Sequence, residues 1–341
     1  MRVLVAGDRG YIGAVLVPFL RAAGHEVDGL DLGLYEGCDL GPAEDIGARP
    51  PYDIRDAQAG ILAGYDAVAC LAALSNDPLG QLNPAATFSV NLQGTLSLAR
   101  AAKDAGVGRF LFSSSCSLYG AAGSGAVAED ADLFPITPYG ETKVQAEREL
   151  SLLADDAFSP TYLRNATAYG VSPRQRLDIV VNNLTAVAMT TGEVRLESDG
   201  LSWRPLVHVE DICRAFLAAL EAPRELVHDE AFNVGRPQDN VQVRHIAEMI
   251  REAVPGSRIS FADGAGPDLR NYRVDFAKLE ETFPDLKLRW SVREGVDELL
   301  GAYTQYGLTA GDFMSSRFVR LRRIRELLSA GMLDEMLRRQ G

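Results

Sequence analysis

The sequence predicts an α/β protein: an open, doubly wound parallel sheet with helices on both faces, followed by a smaller α/β lobe. Three observations carry that expectation. Apolar, β-branched runs alternate with helical patterns over the first 170 residues; a glycine-rich turn follows the first run directly; and after about Tyr169 the rhythm breaks into short elements between turns.

Taken in order, Arg2 to Ala6 is the first strand, and a helical pattern runs from Tyr11 to Ala23. His25 to Leu30 forms a second strand ending at Asp31. Gly33 to Pro51 is rich in Gly, Pro and acid and reads as loop before a short strand near Tyr52. Ala67 to Leu71 is another strand, Leu82 to Ala105 carries long helical periodicity, and Arg109 to Phe112 is a strand entering a Ser-rich turn. Pro138 to Leu153 is helical and Thr161 to Arg164 extended. This order implies βαβ crossovers and a parallel sheet. The expected division is a dinucleotide-type domain over residues 1–170 (completed by parts of 205–235), a substrate lobe over 171–310 interleaved with it, and a C-terminal tail over 311–341. In that tail Phe318, Leu321, Ile324 and Leu328 recur at helical spacing among Arg317, Arg320, Arg322, Arg323 and Arg325. Such a basic amphipathic helix can face a membrane or a partner; docking on its own acidic body or at a subunit contact is the preferred reading.

Composition narrows the function classes. The 341 residues include 34 Lys and Arg against 47 Asp and Glu, a net charge of −13. An acidic chain repels nucleic-acid backbones and anionic membranes, so neither is expected as a partner. Cys38, Cys70, Cys116 and Cys213 show no CxxC spacing, and His25, His208, His228 and His245 no HxxxH pair. No disulfide framework and no metal site is expected, and the thiols fit a reducing cytoplasm. Met1 to Gly7 is too short an apolar run for a signal peptide, and the run Ile61 to Leu74 contains Asp66 and falls short of a membrane span.

The chemistry begins at Gly7-Asp8-Arg9-Gly10-Tyr11-Ile12-Gly13, between the first strand and the first helix. Glycines there permit a tight turn and close backbone approach to a pyrophosphate, while the helix N-terminus supplies free N–H groups. The spacing is GxxGxxG, and its place at a strand–helix junction gives it weight. Asp31 closes the second strand eighteen residues after Gly13. A carboxylate there accepts hydrogen bonds from ribose hydroxyls and repels a 2′-phosphate, selecting NAD over NADP. Arg9 is the counter-signal, since an arginine in the turn can neutralise such a phosphate.

A second constellation is Tyr139-Gly140-Glu141-Thr142-Lys143, which puts a phenol and an ammonium on one helix face. A cation beside a phenol favours the phenolate and makes Tyr139 a general base near neutral pH. Ser113 to Gly120 follows an apolar strand, so Ser115 opens into the crevice where parallel sheets bind ligands.

With these residues in hand, the chain resembles an extended short-chain dehydrogenase/reductase of the nucleotide-sugar epimerase/dehydratase type. The matches run in family order over roughly residues 1–300. They are the glycine turn, Asp31, Asp53-Ile54-Arg55-Asp56, Leu71-Ala72-Ala73, Asn91 with Gly94-Thr95, the Ser-rich turn, YxxxK, Ala168-Tyr169-Gly170, the Trp203 to Asp211 element, and Asp268 to Lys278. The resemblance implies a Rossmann-type sheet, NAD as cofactor, a nucleotide-diphosphate sugar as substrate and a homodimer. It implies Ser115, Tyr139 and Lys143 as catalytic residues, with Lys143 also on the nicotinamide ribose. It places Gly7, Arg9, Gly10, Tyr11, Ile12, Gly13, Asp31, Asp53, Ile54, Leu71, Ala72, Ala73, Asn91 and Ser113 at the cofactor. Ser75, Ser115, Cys116, Ser117, Thr167, Arg204 and Arg270 fall on the substrate side, the two arginines where the family grips the sugar nucleotide's pyrophosphate. His208 is expected to be a satisfied structural histidine.

Departures from the family pattern bear on the reaction. Family 4,6-dehydratases carry an Asp-Glu pair after the triad Ser or Thr, and family decarboxylases usually keep a Glu at the second position. Here those positions are Cys116 and Ser117. What remains needs only hydride and proton transfer, so 4-epimerisation is the expected reaction, with a 4,6-dehydratase or keto-sugar reductase as the alternative and a non-catalytic NAD sensor behind them. Cys116 reads as a packed thiol. Cys70 and Thr167 replace a usual His and Asn, which points to an atypical sugar.

Overall fold

A computed structural model describes residues 1–42, 50–75, 77–120, 125–268, 270–313 and 315–340. Six parallel strands form the central sheet, in the order Glu230–Val234, Ser159–Asn165, Arg109–Ser115, Ala67–Cys70, Arg2–Ala6, Glu26–Leu30. Val3, Leu4, Val5 and Ala6 are all buried, as a strand covered on both faces requires. The strand order reverses between Arg2–Ala6 and Ala67–Cys70, where Val5 pairs with Ala69. A ligand crevice is expected outside the carboxyl ends of the strands at that reversal.

Two elements differ from the sequence reading. The short strand near Tyr52 is absent among the described residues: Tyr52 N–H reaches Asp31 O at 2.9 Å, and Asp53 caps a 3-10 turn over Ile54–Asp56. Pro50 and Pro51 lack the donors a ladder needs. Part of the expected loop from Gly33 to Pro51, residues 43–49, lies outside the described residues. The Leu82 to Ala105 periodicity is not one helix either. Asn83 caps Pro84–Phe88, a π-helical turn spans Ser89–Gly94, and the α-helix resumes over Thr95–Asp104. The wider turn presents Gly94 to Ile54, whose Cδ1 would lie 2.9 Å from a Cβ at that position. Such turns recur beside functional sites.

The Pro138–Ser151 helix starts where its sequence says it should. Thr137 accepts from Gly140 N–H at 3.2 Å and Pro138 fills the first turn, where a missing donor costs nothing. Beyond the main sheet, Thr167–Tyr169, Trp203–His208 and Asn240–Gln242 make a three-stranded sheet, and Glu193–Leu196 pairs with Arg258–Phe261. Helices Val180–Thr191, Val243–Ala253 and Val292–Gln305 close a second core over Val181, Ile246, Ile250 and Leu299. No described helix is long and apolar enough to cross a membrane.

The C-terminal helix, Arg320–Ser329, docks on the body: Ile324 and Leu327 are buried against Leu74, Leu79, Leu333 and Leu337. Phe318 precedes the helix and joins the second core instead of the expected stripe.

Candidate active site

The carboxyl ends of the strands open into a cleft of about 950 Å³. At one end lies the glycine turn. Gly7 has φ +92°, and a Cβ there would meet Ala72 N at 2.8 Å; a Cβ on Gly13 would meet Gly7 O at 2.1 Å. The turn is therefore a cradle only glycine can line. The Gly13–Ala22 helix begins at Ile12 with no side-chain cap, leaving its N-terminus open to an anion. Asp31 lines this end, its Oδ1 accepting from Gly33 N–H at 2.7 Å and Oδ2 from Arg9 N–H at 3.2 Å. Burial raises its pKa and the two backbone donors oppose that. Arg9 does not line the cleft: its Nη1 pairs with Glu36 at 2.7 Å, and its charge favours the ionised Asp31.

Asp53, Ile54, Leu71, Ala72 and Ala73 line the wall beside the turn. Asn91 does not, contrary to expectation. It is buried behind the wall, accepting from Leu74 N–H at 2.8 Å and donating to Leu74 O at 3.1 Å and Thr142 Oγ1 at 3.3 Å. With both backbone groups of Leu74 engaged, Asn91 fixes the segment that borders the cleft; an amide placed in the π turn reaches backbone, not ligand.

Ser113, Ser115, Tyr139 and Lys143 meet at the centre. Lys143 is buried on the Pro138–Ser151 helix, its Nζ donating to Ser113 O at 2.6 Å and sitting 5.7 Å from the Tyr139 ring centroid. Burial lowers the Lys143 pKa to about 8. Burial also pushes Tyr139 up to about 12, a hydrogen bond with Ser115 opposing it. Desolvation thus holds the phenol well above the expected near-neutral range, against the hydrogen bond with Ser115 and the charge of Arg176. Ser115 Oγ accepts from Ser117 Oγ at 2.9 Å and Ser117 N–H at 3.2 Å.

Cys116 is the third sequence-expected residue outside the cleft. Its Sγ turns into the core and donates to Arg164 O at 3.1 Å, and burial drives the thiol pKa far up. Ser115 caps the 3-10 turn Cys116–Tyr119; Ser115 and Ser117 line the cleft while Cys116 packs behind.

At the far end, Ser75, Thr167, Arg204 and Arg270 line the cleft. Both arginines are engaged by carboxylates: Arg204 by Asp268, and Arg270 by Asp268 at 2.9 Å and Asp77 at 3.1 Å. His208 is buried outside the cleft; Nδ1 accepts from Glu210 N–H at 3.2 Å, Nε2 bonds Glu298 at 2.9 Å, and the ring stacks on Trp290 at 4.1 Å. It is a satisfied structural histidine. Among the lining residues that sequence reasoning missed are Tyr35, Asp77, Arg176 and Arg320. Asp77 accepts from Thr137 Oγ1 at 2.8 Å, and its charge acts on Tyr139. None belongs to a spaced motif: Asp77 opens a short helix over Asp77–Leu82, Tyr35 and Arg176 sit in loops, and Arg320 opens the C-terminal helix.

This fold and site define a dinucleotide-dependent enzyme of the α/β class. Residues 3–235 match the model of the NAD dependent epimerase/dehydratase family, and the chain belongs to that family. It is similar to the UDP-glucose 4-epimerase of Bacillus subtilis, 27% identical over 88% of this chain and 94% of that protein. A dTDP-glucose 4,6-dehydratase of Actinoplanes sp. is 29% identical over 82% of this chain and 90% of that one. Among solved structures, MoeE5 in complex with UDP-glucuronic acid and NAD superposes with a TM-score of 0.77 at 28% identity, covering 89% of this chain and 99% of that chain. The protein is an NAD-dependent enzyme of the nucleotide-sugar epimerase/dehydratase type.

Proposed function

We propose that the protein is a nucleotide-sugar 4-epimerase. The observation that carries this reading is the pairing of an assembled Ser115, Tyr139 and Lys143 centre with a Cys116 that faces away from it. Proton transfer at one hydroxyl has its groups; elimination lacks the two carboxylates the family uses.

The glycine cradle, the uncapped helix start and Asp31 fit a dinucleotide, and Lys143 fits its second ribose. Bound there, NAD supplies reversible redox chemistry at the sugar C4. Tyr139 takes the C4 hydroxyl proton and later returns it, and Ser115 hydrogen-bonds the same oxygen. The hydrogen bond with Ser115 and the charge of Arg176 favour the Tyr139 phenolate, and Lys143, with its own pKa at about 8, still carries its charge at physiological pH. Arg204 and Arg270 hold the sugar nucleotide's pyrophosphate, exchanging Asp268 and Asp77 for phosphate oxygens. The homodimer belongs to the same reading, and sedimentation of the full chain tests it.

The deciding experiment incubates the enzyme and NAD with UDP-, dTDP- and GDP-hexoses and reads products by mass spectrometry and proton NMR. Unchanged mass with altered H4 couplings is expected. A product lighter by one water overturns the epimerase reading, and no product from any sugar favours a sensor.

A further inference from the structure

The C-terminal helix is held to the body by apolar contacts at Ile324 and Leu327, yet its first residue is a deeply buried arginine. Arg320 is 3% exposed. Its Nη2 donates to Arg174 O at 3.0 Å and its guanidinium stacks 3.9 Å over the Tyr35 ring. Nη1 is buried with no hydrogen-bond partner, and no carboxylate among the described residues is within ion-pair distance of the side chain. Arg176 is 6% exposed; Asp178 takes its Nε at 2.8 Å and Ser75 its Nη1 at 3.0 Å, while Nη2 has no partner. Both side chains line the cleft. Burial lowers the Arg320 pKa to about 10, and the charge of Arg176 lowers it further.

Two neighbouring buried guanidiniums, each with an unused N–H, are costly unless an anion completes them. We infer that Arg320 and Arg176 hold the diphosphate of the dinucleotide, which makes the C-terminal segment part of the cofactor site. The inference rests on NAD occupying the glycine-turn end of the cleft. Position points Arg320 to that diphosphate, because it stacks on Tyr35, four residues after Asp31; Arg176 reaches toward both ends, its Nη1 on Ser75 of the substrate side and its charge acting on Tyr11 and Tyr139. Arg204 and Arg270 already serve the other end. Guanidinium forks suit diphosphate oxygens.

Calorimetric titration of the full chain with NAD, ADP, adenosine and UDP tests this, comparing wild type with Arg320→Met. NAD and ADP should bind at least tenfold more weakly to the variant, with adenosine and UDP within twofold. Unchanged NAD affinity in a folded variant overturns the inference, as does a loss confined to UDP. Failure of wild type to bind NAD at all overturns the underlying cofactor reading instead. Hydrogen exchange on wild type covers a variant that does not fold: NAD should slow exchange in the Arg320–Ser329 helix, and unaltered exchange there overturns the inference.

Discussion

The ammonium of Lys143 donates to the carbonyl of Ser113 at 2.6 Å, tying the helix that carries Tyr139 to the strand that carries Ser115. That link holds the reacting groups in register, but it keeps a charge inside the protein. Because the folded-state pKa, about 8, lies below the ordinary 10.5, the folded protein releases a proton that the unfolded chain retains. Stability therefore rises with pH between those values. Relative to Lys143→Met, wild type should gain roughly 3 kcal/mol between pH 7 and pH 10.5, and the variant should be the more stable at pH 7. Urea unfolding of both proteins without cofactor checks this; a pH-independent difference contradicts it.

Tyr139→Phe removes the phenol hydroxyl that lines the cleft and leaves the glycine cradle untouched. Turnover should fall by about 10²–10⁴ while NAD affinity stays within a few-fold. Turnover within a few-fold of wild type would remove Tyr139 from the mechanism.

Much of the fold and of the cleft was legible because periodicity and glycine chemistry are local. The strand at Arg2–Ala6, the turn after it and the helix at Pro138–Ser151 are each specified by a few adjacent residues. The failures are tertiary. Nothing local says that Asn91 turns toward Leu74, because the π turn that aims it depends on Gly94 meeting Ile54. Likewise the pKa of Tyr139 is governed by burial, which a Tyr–Lys spacing does not encode. Arg320 is invisible for a third reason: its neighbours Tyr35 and Arg174 lie 285 and 146 residues away in sequence.

Asp31 should make NAD bind at least tens of times more tightly than NADP, since a 2′-phosphate would meet a half-buried carboxylate while Arg9 is held by Glu36. Asp31→Ala should erase that preference and, by releasing the Gly33 and Arg9 N–H groups, lower stability by about 1–2 kcal/mol. Calorimetry with both dinucleotides and thermal melting report the two effects separately. Equal NAD and NADP affinity in wild type would refute the cofactor assignment.

The last prediction is that no water leaves the sugar. Loss of water across C5 and C6 needs a base for the C5 proton and an acid for the departing hydroxyl, both within hydrogen-bond reach. Cys116 supplies neither, since its thiol is buried, bonded to Arg164 O and far from ionising at neutral pH. Ser117 already donates to Ser115. Asp77 is a carboxylate whose charge acts on Tyr139, and its Oδ1 accepts a hydrogen bond from Thr137 Oγ1. Reaction in D2O should therefore leave C5 free of deuterium and the product mass unchanged. Cys116→Ala should turn over within a few-fold of wild type, its cost confined to about 1–2 kcal/mol of stability from the small cavity and the lost hydrogen bond. Deuterium at C5 that vanishes in Asp77→Asn would show that Asp77 stands in for the missing pair, and the enzyme would then be a dehydratase that reaches its proton from the start of the Asp77–Leu82 helix.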